Sequence, residues 1–338
     1  MPTKTLAEYF DTGENNFHLI RLLAALSVIY GHSYVLTGAP GGDFFLLNVG
    51  YKFIGGVAVD VFFLISGFLI ASSLERSSWK RYITARVLRI VPALVVCVTL
   101  SVFVLGPMLT TAPDYWINPA TWRYFIQNAF LLSTEYRLPG VFESLPDKGV
   151  NGSLWSLPLE FRLYIAFFVL GLLQLMKPNR FSALAIVGVV IGYFAAPKFA
   201  LLVQYSNWVN SSLFFLAGGF MWHNRHAIRL SYPLAALMLV LCAALLHTDH
   251  FGAGYFLALS YLTMFVALVP RLPRIHERDL SYGVYLYGWP VAQIIQYIRP
   301  TTTPLENTLA ACLCSMLIAL ASWELVERPA LSLKRLVR

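Results

Sequence analysis

The chain has 338 residues, 58% of them hydrophobic and 12% charged, with a formal net charge of +8 and a mean hydropathy of +0.64. Soluble domains carry about 25% charged residues, so the composition excludes a soluble enzyme and predicts a polytopic membrane protein with no soluble domain left over. The positive charge is then expected in cytoplasmic loops and not at a nucleic-acid surface.

A membrane-spanning helix needs about 20 apolar residues, and ten segments fit: about 17–36, 53–75, 83–106, 155–176, 181–197, 207–222, 230–247, 251–270, 279–298 and 306–326. The first carries Arg21 and His32 and is expected to be retained, not cleaved as a signal peptide. A guanidinium in hydrocarbon costs roughly 2.5–3.5 kcal/mol on insertion scales and is kept mainly where it has a function. Eleven residues is close to three helical turns, so Arg21 and His32 lie on nearly one line, about 16 Å apart. Asp60 falls in the second segment. Arg86 and Arg89, three residues apart and so on one face, open the third.

The longest loop, about 107–154, holds Pro107, Pro113, Pro119, Pro139, Pro146, Gly149 and Gly152 and is expected to be a binding loop or lid. Within it, Tyr124 to Leu132 reads as an interfacial helix. Glu160 lies just inside the fourth segment, with Tyr164 one turn on. Cys97, Cys242, Cys312 and Cys314 sit in apolar runs and read as small core residues. His223, His226, His247, Asp249 and His250 read as solvated loop residues, and His18 and His276 as interfacial ones; no metal is expected.

Lys and Arg positions set the direction. With the N-terminus inside, inner loops and termini hold 15 of the cations and outer loops hold Lys52, Arg123, Arg137, Lys148, Lys198 and Arg299. Arg21, Arg86, Arg89 and Arg162 fall inside spans and do not enter that count. Both termini are therefore expected in the cytoplasm. The loop 107–154 then faces outward. Arg21, Arg86 and Arg89 lie near inner helix ends, while His32, Asp60 and Glu160 lie toward the outer face. Guanidinium pairs suit phosphate, and an imidazole beside carboxylates suits a general base. The pattern predicts a phosphate-bearing ligand held from the cytoplasm and proton transfer nearer the exterior, with Asp60 or Glu160 orienting His32. Competing readings make Arg86 and Arg89 snorkelling anchors, Asp60 a structural helix pair, and Glu160 a partner of Arg162 or Arg137. In a transporter, Arg21, His32, Asp60 and Glu160 would line a substrate or proton path. No Walker loop, GxGxxG, GxSxG or CxxC is present, which excludes the common soluble nucleotide-binding and hydrolase classes.

These motifs, in this order, resemble the acyltransferase-3 family of integral membrane O-acyltransferases. Arg21 to His32 resembles its basic-residue, ten-residue-gap, His signature. Gly55 to Ile70 resembles its second-helix motif, Ala85 to Pro92 its Arg-x-x-Arg motif, and Asn151 to Tyr164 its loop-to-helix motif with Trp155 and Glu160. Leu280 to Pro290 and Val326 to Pro329 resemble late-helix and C-terminal motifs. The resemblance covers almost the whole chain and implies one integral membrane acyltransferase domain over 1–338. It implies an acyl-CoA donor, most often acetyl-CoA, used from the cytoplasmic side, and an extracytoplasmic or lipid-linked carbohydrate acceptor. It also implies residence in the bacterial inner membrane. His32 matches the catalytic position, and Arg21, Arg86 and Arg89 match positions implicated in holding the donor. Trp155 and Tyr164 are expected on the substrate side, with Trp155 and Glu160 at the acceptor entrance. One departure stands out: many members carry His before the Trp-Pro pair, where this chain has Gly288.

Overall fold

Long apolar runs between capping residues build almost all of the regular structure. The computed structural model describes residues 4–195, 206–273 and 278–336. Lys198, Arg274, His276, Arg338 and the end of the segment predicted over 181–197 lie outside the described residues. In chain order the helices are α1 (Leu6–Phe10), α2 (Phe17–Leu36), α3 (Phe44–Val49), α4 (Ile54–Arg76), α5 (Trp79–Leu100), α6 (Gly106–Leu109), α7 (Pro119–Ala129), α8 (Ser156–Leu172) and α9 (Pro178–Val190). They continue as α10 (Ser206–His223), α11 (Tyr232–Ala244), α12 (Phe251–Leu268), α13 (Ser281–Ile298), α14 (Pro304–Ser322) and α15 (Arg328–Ser332). A π-helical turn, Ser101–Leu105, joins α5 to α6. Among the described residues the only strands are β1 (Lys4–Thr5) and β2 (Arg229–Leu230), paired antiparallel.

The starts follow side-chain capping. Ser78 accepts from Arg81 N, Asn118 from Ala120 N ahead of Pro119, and Ser231 from Leu234 N. Thr303 and Glu306 form a reciprocal capping box at α14. Each of the ten predicted segments overlaps a helix, the one over 181–197 within its described residues. Six helical stretches are long and apolar enough to cross a membrane: Phe17–Leu36, Ile54–Arg76, Trp79–Leu109, Gly152–Leu172, Phe251–Leu268 and Pro304–Arg335. Pro178–Tyr193 and Tyr232–Ala244 are apolar but shorter. The class is therefore all-α and polytopic.

The centre is formed by α4 and α13, the most heavily buried helices, with α2 packed against both. Close approach depends on small residues, as expected where packing and not apolar transfer drives helix association in lipid. A Cβ on Gly67 of α4 would stand 2.0 Å from Phe215 O, and one on Gly218 of α10 would stand 2.1 Å from Leu64 O. Backbone cannot yield as a flexible side chain can, so Gly67→Leu is expected to destabilise the protein by about 1–3 kcal/mol or more, read as a lower melting temperature in detergent. On the outside, Leu305, Leu309, Leu313 and Leu317 form an exposed stripe along α14. Cys314 is exposed on that helix, and Cys97 alone of the four unpaired cysteines is fully buried. The uniform core reading of the cysteines is thereby corrected.

Candidate active site

The first end of the site is ionic. Asp279 stands just before α13 and gathers two guanidiniums and an imidazole. Its Oδ2 accepts from Arg21 Nη1 at 3.1 Å and from Arg89 Nη2 at 2.6 Å, with His18 Nδ1 at 3.5 Å. Its Oδ1 accepts from the backbone N–H of Ser281 at 3.3 Å. Arg89 Nη1 lies 3.5 Å from Glu327 Oε2, and Ser322 donates to the other Glu327 oxygen at 3.2 Å. Glu327 ends a π-helical turn, Trp323–Glu327, at the Val326 to Pro329 motif. Arg86 faces differently. Its guanidinium lies 6.0 Å from the Tyr82 ring centre and 5.9 Å from that of Tyr164, and its buried Nε has no partner. Among the described residues Arg86 pairs with no carboxylate. Lys334 is near enough to Arg81, Arg86 and Arg89 for their charges to repel its own.

Beside this cluster lies a small cavity lined by Arg21, Phe62, Ser156, Glu160, Tyr282 and Tyr285, among others. Glu160 accepts from Ser66 Oγ at 2.9 Å and from the Tyr164 hydroxyl. Ser66 lies midway along α4. Glu160 is thus deeper than its position in the sequence implied, and it shares a cavity with Arg21. Neither Arg137 nor Arg162 pairs with it. Arg162 donates to Leu132 O at 2.7 Å and lies over the Trp208 ring at 5.0 Å.

His32 occupies the other end of α2. Its ring lies 4.6 Å from Trp289 and 5.6 Å from Phe53. Among the described residues no side chain hydrogen-bonds its imidazole. The expected carboxylate is elsewhere: Asp60 accepts from Lys52 Nζ at 2.7 and 2.8 Å, from Asn210 at 2.9 Å and from Tyr255 at 2.7 Å. Lys52, in the loop before α4, is thus the partly buried ion-pair partner of the fully buried Asp60. The predicted sorting of cations to one side and carboxylates to the other does not hold. Charges held in a low-dielectric interior are paired, because an unpaired one is costly to bury. His223, expected in a solvated loop, is buried at the end of α10 with neither ring nitrogen hydrogen-bonded.

The long loop is tied to α13 by a consequence of Pro290. Proline has no N–H, so the carbonyl four residues back loses its helical donor. That carbonyl, Leu286 O, accepts from Asn151 Nδ2 at 2.9 Å. Two further bonds follow on the same face: Tyr285 donates to Ser153 O at 2.9 Å, and Trp289 Nε1 donates to Gly149 O at 2.9 Å. Gln293 Nε2 donates to Asp147 O and Gly149 O, both at 2.8 Å. The loop therefore closes over the His32 end of the helix. Where Gly288 stands, a Cβ would come 2.6 Å from Ile29, so the contact that brings α13 onto α2 leaves no room for a side chain there. Trp155 turns the other way, into a separate open cleft with Tyr136, Arg162, Asn207 and Trp208. Asp279, Glu327, Trp289, Tyr285 and Lys52 were not singled out by sequence reasoning, although four of the five lie in or beside the quoted motifs.

Residues 14–324 match the model of the acyltransferase-3 family, described as an acyltransferase domain. The chain belongs to that family. It is 30% identical to an O-acetyl transferase of Shigella phage Sf6 over 93% of this chain and 95% of the relative. It is 26% identical to nodulation protein 10 of Rhizobium leguminosarum bv. viciae over 97% of this chain and 96% of the relative. A putative membrane-bound transacylase of Komagataeibacter xylinus, BcsY, is 29% identical over 85% and 79% respectively. No solved structure matches the chain. Family membership makes the protein an acyltransferase, and with its apolar helices, a multi-pass membrane one. The transporter reading finds no support among these relatives.

Proposed function

We propose that the protein moves an acyl group, acetyl by preference, from acyl-CoA to a hydroxyl of an extracytoplasmic or lipid-linked carbohydrate. The observation that carries this reading is the arrangement along α2. Cations converge at one end, where Arg21 and Glu160 line a cavity, and at the other stands an imidazole that no side chain among the described residues hydrogen-bonds. The names of two relatives, an O-acetyl transferase and a transacylase, support acyl transfer.

In this mechanism ten helices span the membrane with both termini in the cytoplasm. Arg86, Arg89 and Arg21 bind the phosphates of coenzyme A from that side, and the pantetheine arm rises through the cavity past Glu160 and Tyr285. Tyr285, which lines the cavity, and Trp289, which touches His32, are one helical turn, about 6 Å, apart along α13. The acceptor hydroxyl attacks the thioester carbonyl, the carbon–sulfur bond breaks, and the thiolate leaves with a proton. In that direct route His32 takes the hydroxyl proton as general base and passes it to the leaving thiolate; in the carrier route a His32 ring nitrogen first attacks the thioester carbonyl and expels the thiol, and the acceptor hydroxyl then attacks the acyl-imidazole and releases the ring. Tyr164 and Glu160 line the donor path through their hydrogen bond. The Trp155, Tyr136 and Arg162 cleft offers aromatic faces and hydrogen-bonding groups of the kind sugars use.

The test is thiol release from acetyl-CoA by purified protein, with the surface polysaccharide of its own cells as acceptor. The expected result is polysaccharide-dependent release of free thiol with matching acetyl ester on the glycan. Absence of both would overturn the proposal.

A further inference from the structure

Aromatic contact, not hydrogen bonding, fixes the His32 ring among the described residues, and one of the two rings doing so is itself strapped down. We propose that the Lys52–Asp60 ion pair, buried at its carboxylate, positions His32 by holding Phe53 against it. This rests on the reading of His32 as the reacting group and gives Asp60 a role at one remove from the chemistry.

Phe53 is the N-cap residue of α4, in extended backbone (φ −73°, ψ 156°), so the chain before it does not continue the helix. Lys52 instead folds back along α4 and reaches Asp60, eight residues on. The far end of the strap is rigid, because Asn210 of α10 and Tyr255 of α12 both donate to the fully buried Asp60 carboxylate. The near end is rigid as well, because Asp43 accepts from the backbone N–H of Ile54 at 3.1 Å.

Three glycines make room for this path. A Cβ at Gly56 would stand 2.7–3.1 Å from the Lys52 stem, and one at Gly55 would stand 2.5 Å from the Phe53 ring. From the opposite helix, a Cβ at Gly31 would stand 2.8 Å from the same ring. The Gly55–Gly56 pair thus lets lysine and phenylalanine lie flat on the helix that follows them. Gly31 lets the ring wedge between α2 and α4 beside His32. A buried ion pair is weak evidence for stability, and its better-attested use is in selecting one arrangement. Here the arrangement selected is the face that Phe53 presents to the imidazole.

The experiment uses the full chain in detergent micelles with isotopically labelled histidine. The His32 resonance is identified by its loss in His32→Gln. In the parent, its ring protons are expected to be shifted by the ring currents of Trp289 and Phe53. The double variant Lys52→Met with Asp60→Leu removes the pair without leaving a lone buried charge. It is expected to move the His32 resonance and to lower kcat for thiol release about ten- to a hundredfold, with the KM for acetyl-CoA unchanged. Phe53→Leu, which breaks the strap at its other end, is expected to do the same. An unshifted His32 resonance with parental kcat in the folded double variant would overturn the proposal. So would failure of the double variant to fold, which assigns the pair to stability alone. If His32→Ala retained parental activity, the catalytic reading would fail, while the resonance would still report whether the strap holds the ring.

Discussion

Replacing His32 with alanine is expected to lower acyl transfer about 10²- to 10⁴-fold, the usual contribution of a positioned acid or base, with folding and insertion intact. Both halves of that expectation come from the same geometry. The imidazole makes no hydrogen bond to a side chain among the described residues, so its removal strands no buried partner. What is lost is ring contact with Trp289 and Phe53, worth about 0.5–1.5 kcal/mol per aromatic pair. Thiol release and glycan ester content report the first half, and a thermal melt in detergent reports the second. An alanine variant that acetylates at the parental rate would remove His32 from the mechanism. Acid quenching during turnover with labelled acetyl-CoA separates the two roles left open. An acyl carrier leaves label on the protein that is absent from His32→Gln, whereas a general base leaves none.

The helices, their order and the placing of Arg21 and His32 on one helix were legible because they rest on local rules. Apolar length, capping residues and a three-turn spacing need no knowledge of what packs against what. Pairing across the bundle was not legible. Asp60 and Lys52 are eight residues apart, and nothing local says that the chain doubles back at Phe53 to join them. Asp279 is 258 residues from Arg21, so its service as shared counter-ion depends on α13 docking beside α2. One long-range contact did have a usable signal. Pro290 inside an apolar helix frees the carbonyl of Leu286, and such a carbonyl needs a buried donor. Asn151, at the head of a motif otherwise read for Trp155, Glu160 and Tyr164, supplies it. The depth of Glu160 was misjudged for a related reason: counting residues from a loop cannot show that a 3₁₀ turn, Gly152–Trp155, already descends alongside α13.

Arg86 and Arg89 are expected to separate under substitution although they sit three residues apart. Arg86 has an unpartnered Nε and no carboxylate among the described residues. Arg86→Gln therefore removes a cation whose charge is free for a ligand. Coenzyme A affinity is expected to fall about ten- to a hundredfold, the loss of a charge-assisted hydrogen bond of roughly 1.5–3 kcal/mol, while the melting temperature without ligand stays near the parental value. Arg89→Gln is expected to weaken binding and also to destabilise the unliganded protein by about 3–5 kcal/mol, the effect of breaking a buried pair from one side. Asp279 would then rely on Arg21 and His18, and Glu327, whose side chain is 2% exposed, would keep only Ser322. Calorimetric titration with coenzyme A and melts with and without it distinguish the two. Parental affinity in both variants would return these arginines to structural anchoring and move the donor site elsewhere. Loss of affinity in Arg86→Gln at unchanged stability would locate the phosphate grip at the guanidinium that, among the described residues, has no counter-ion.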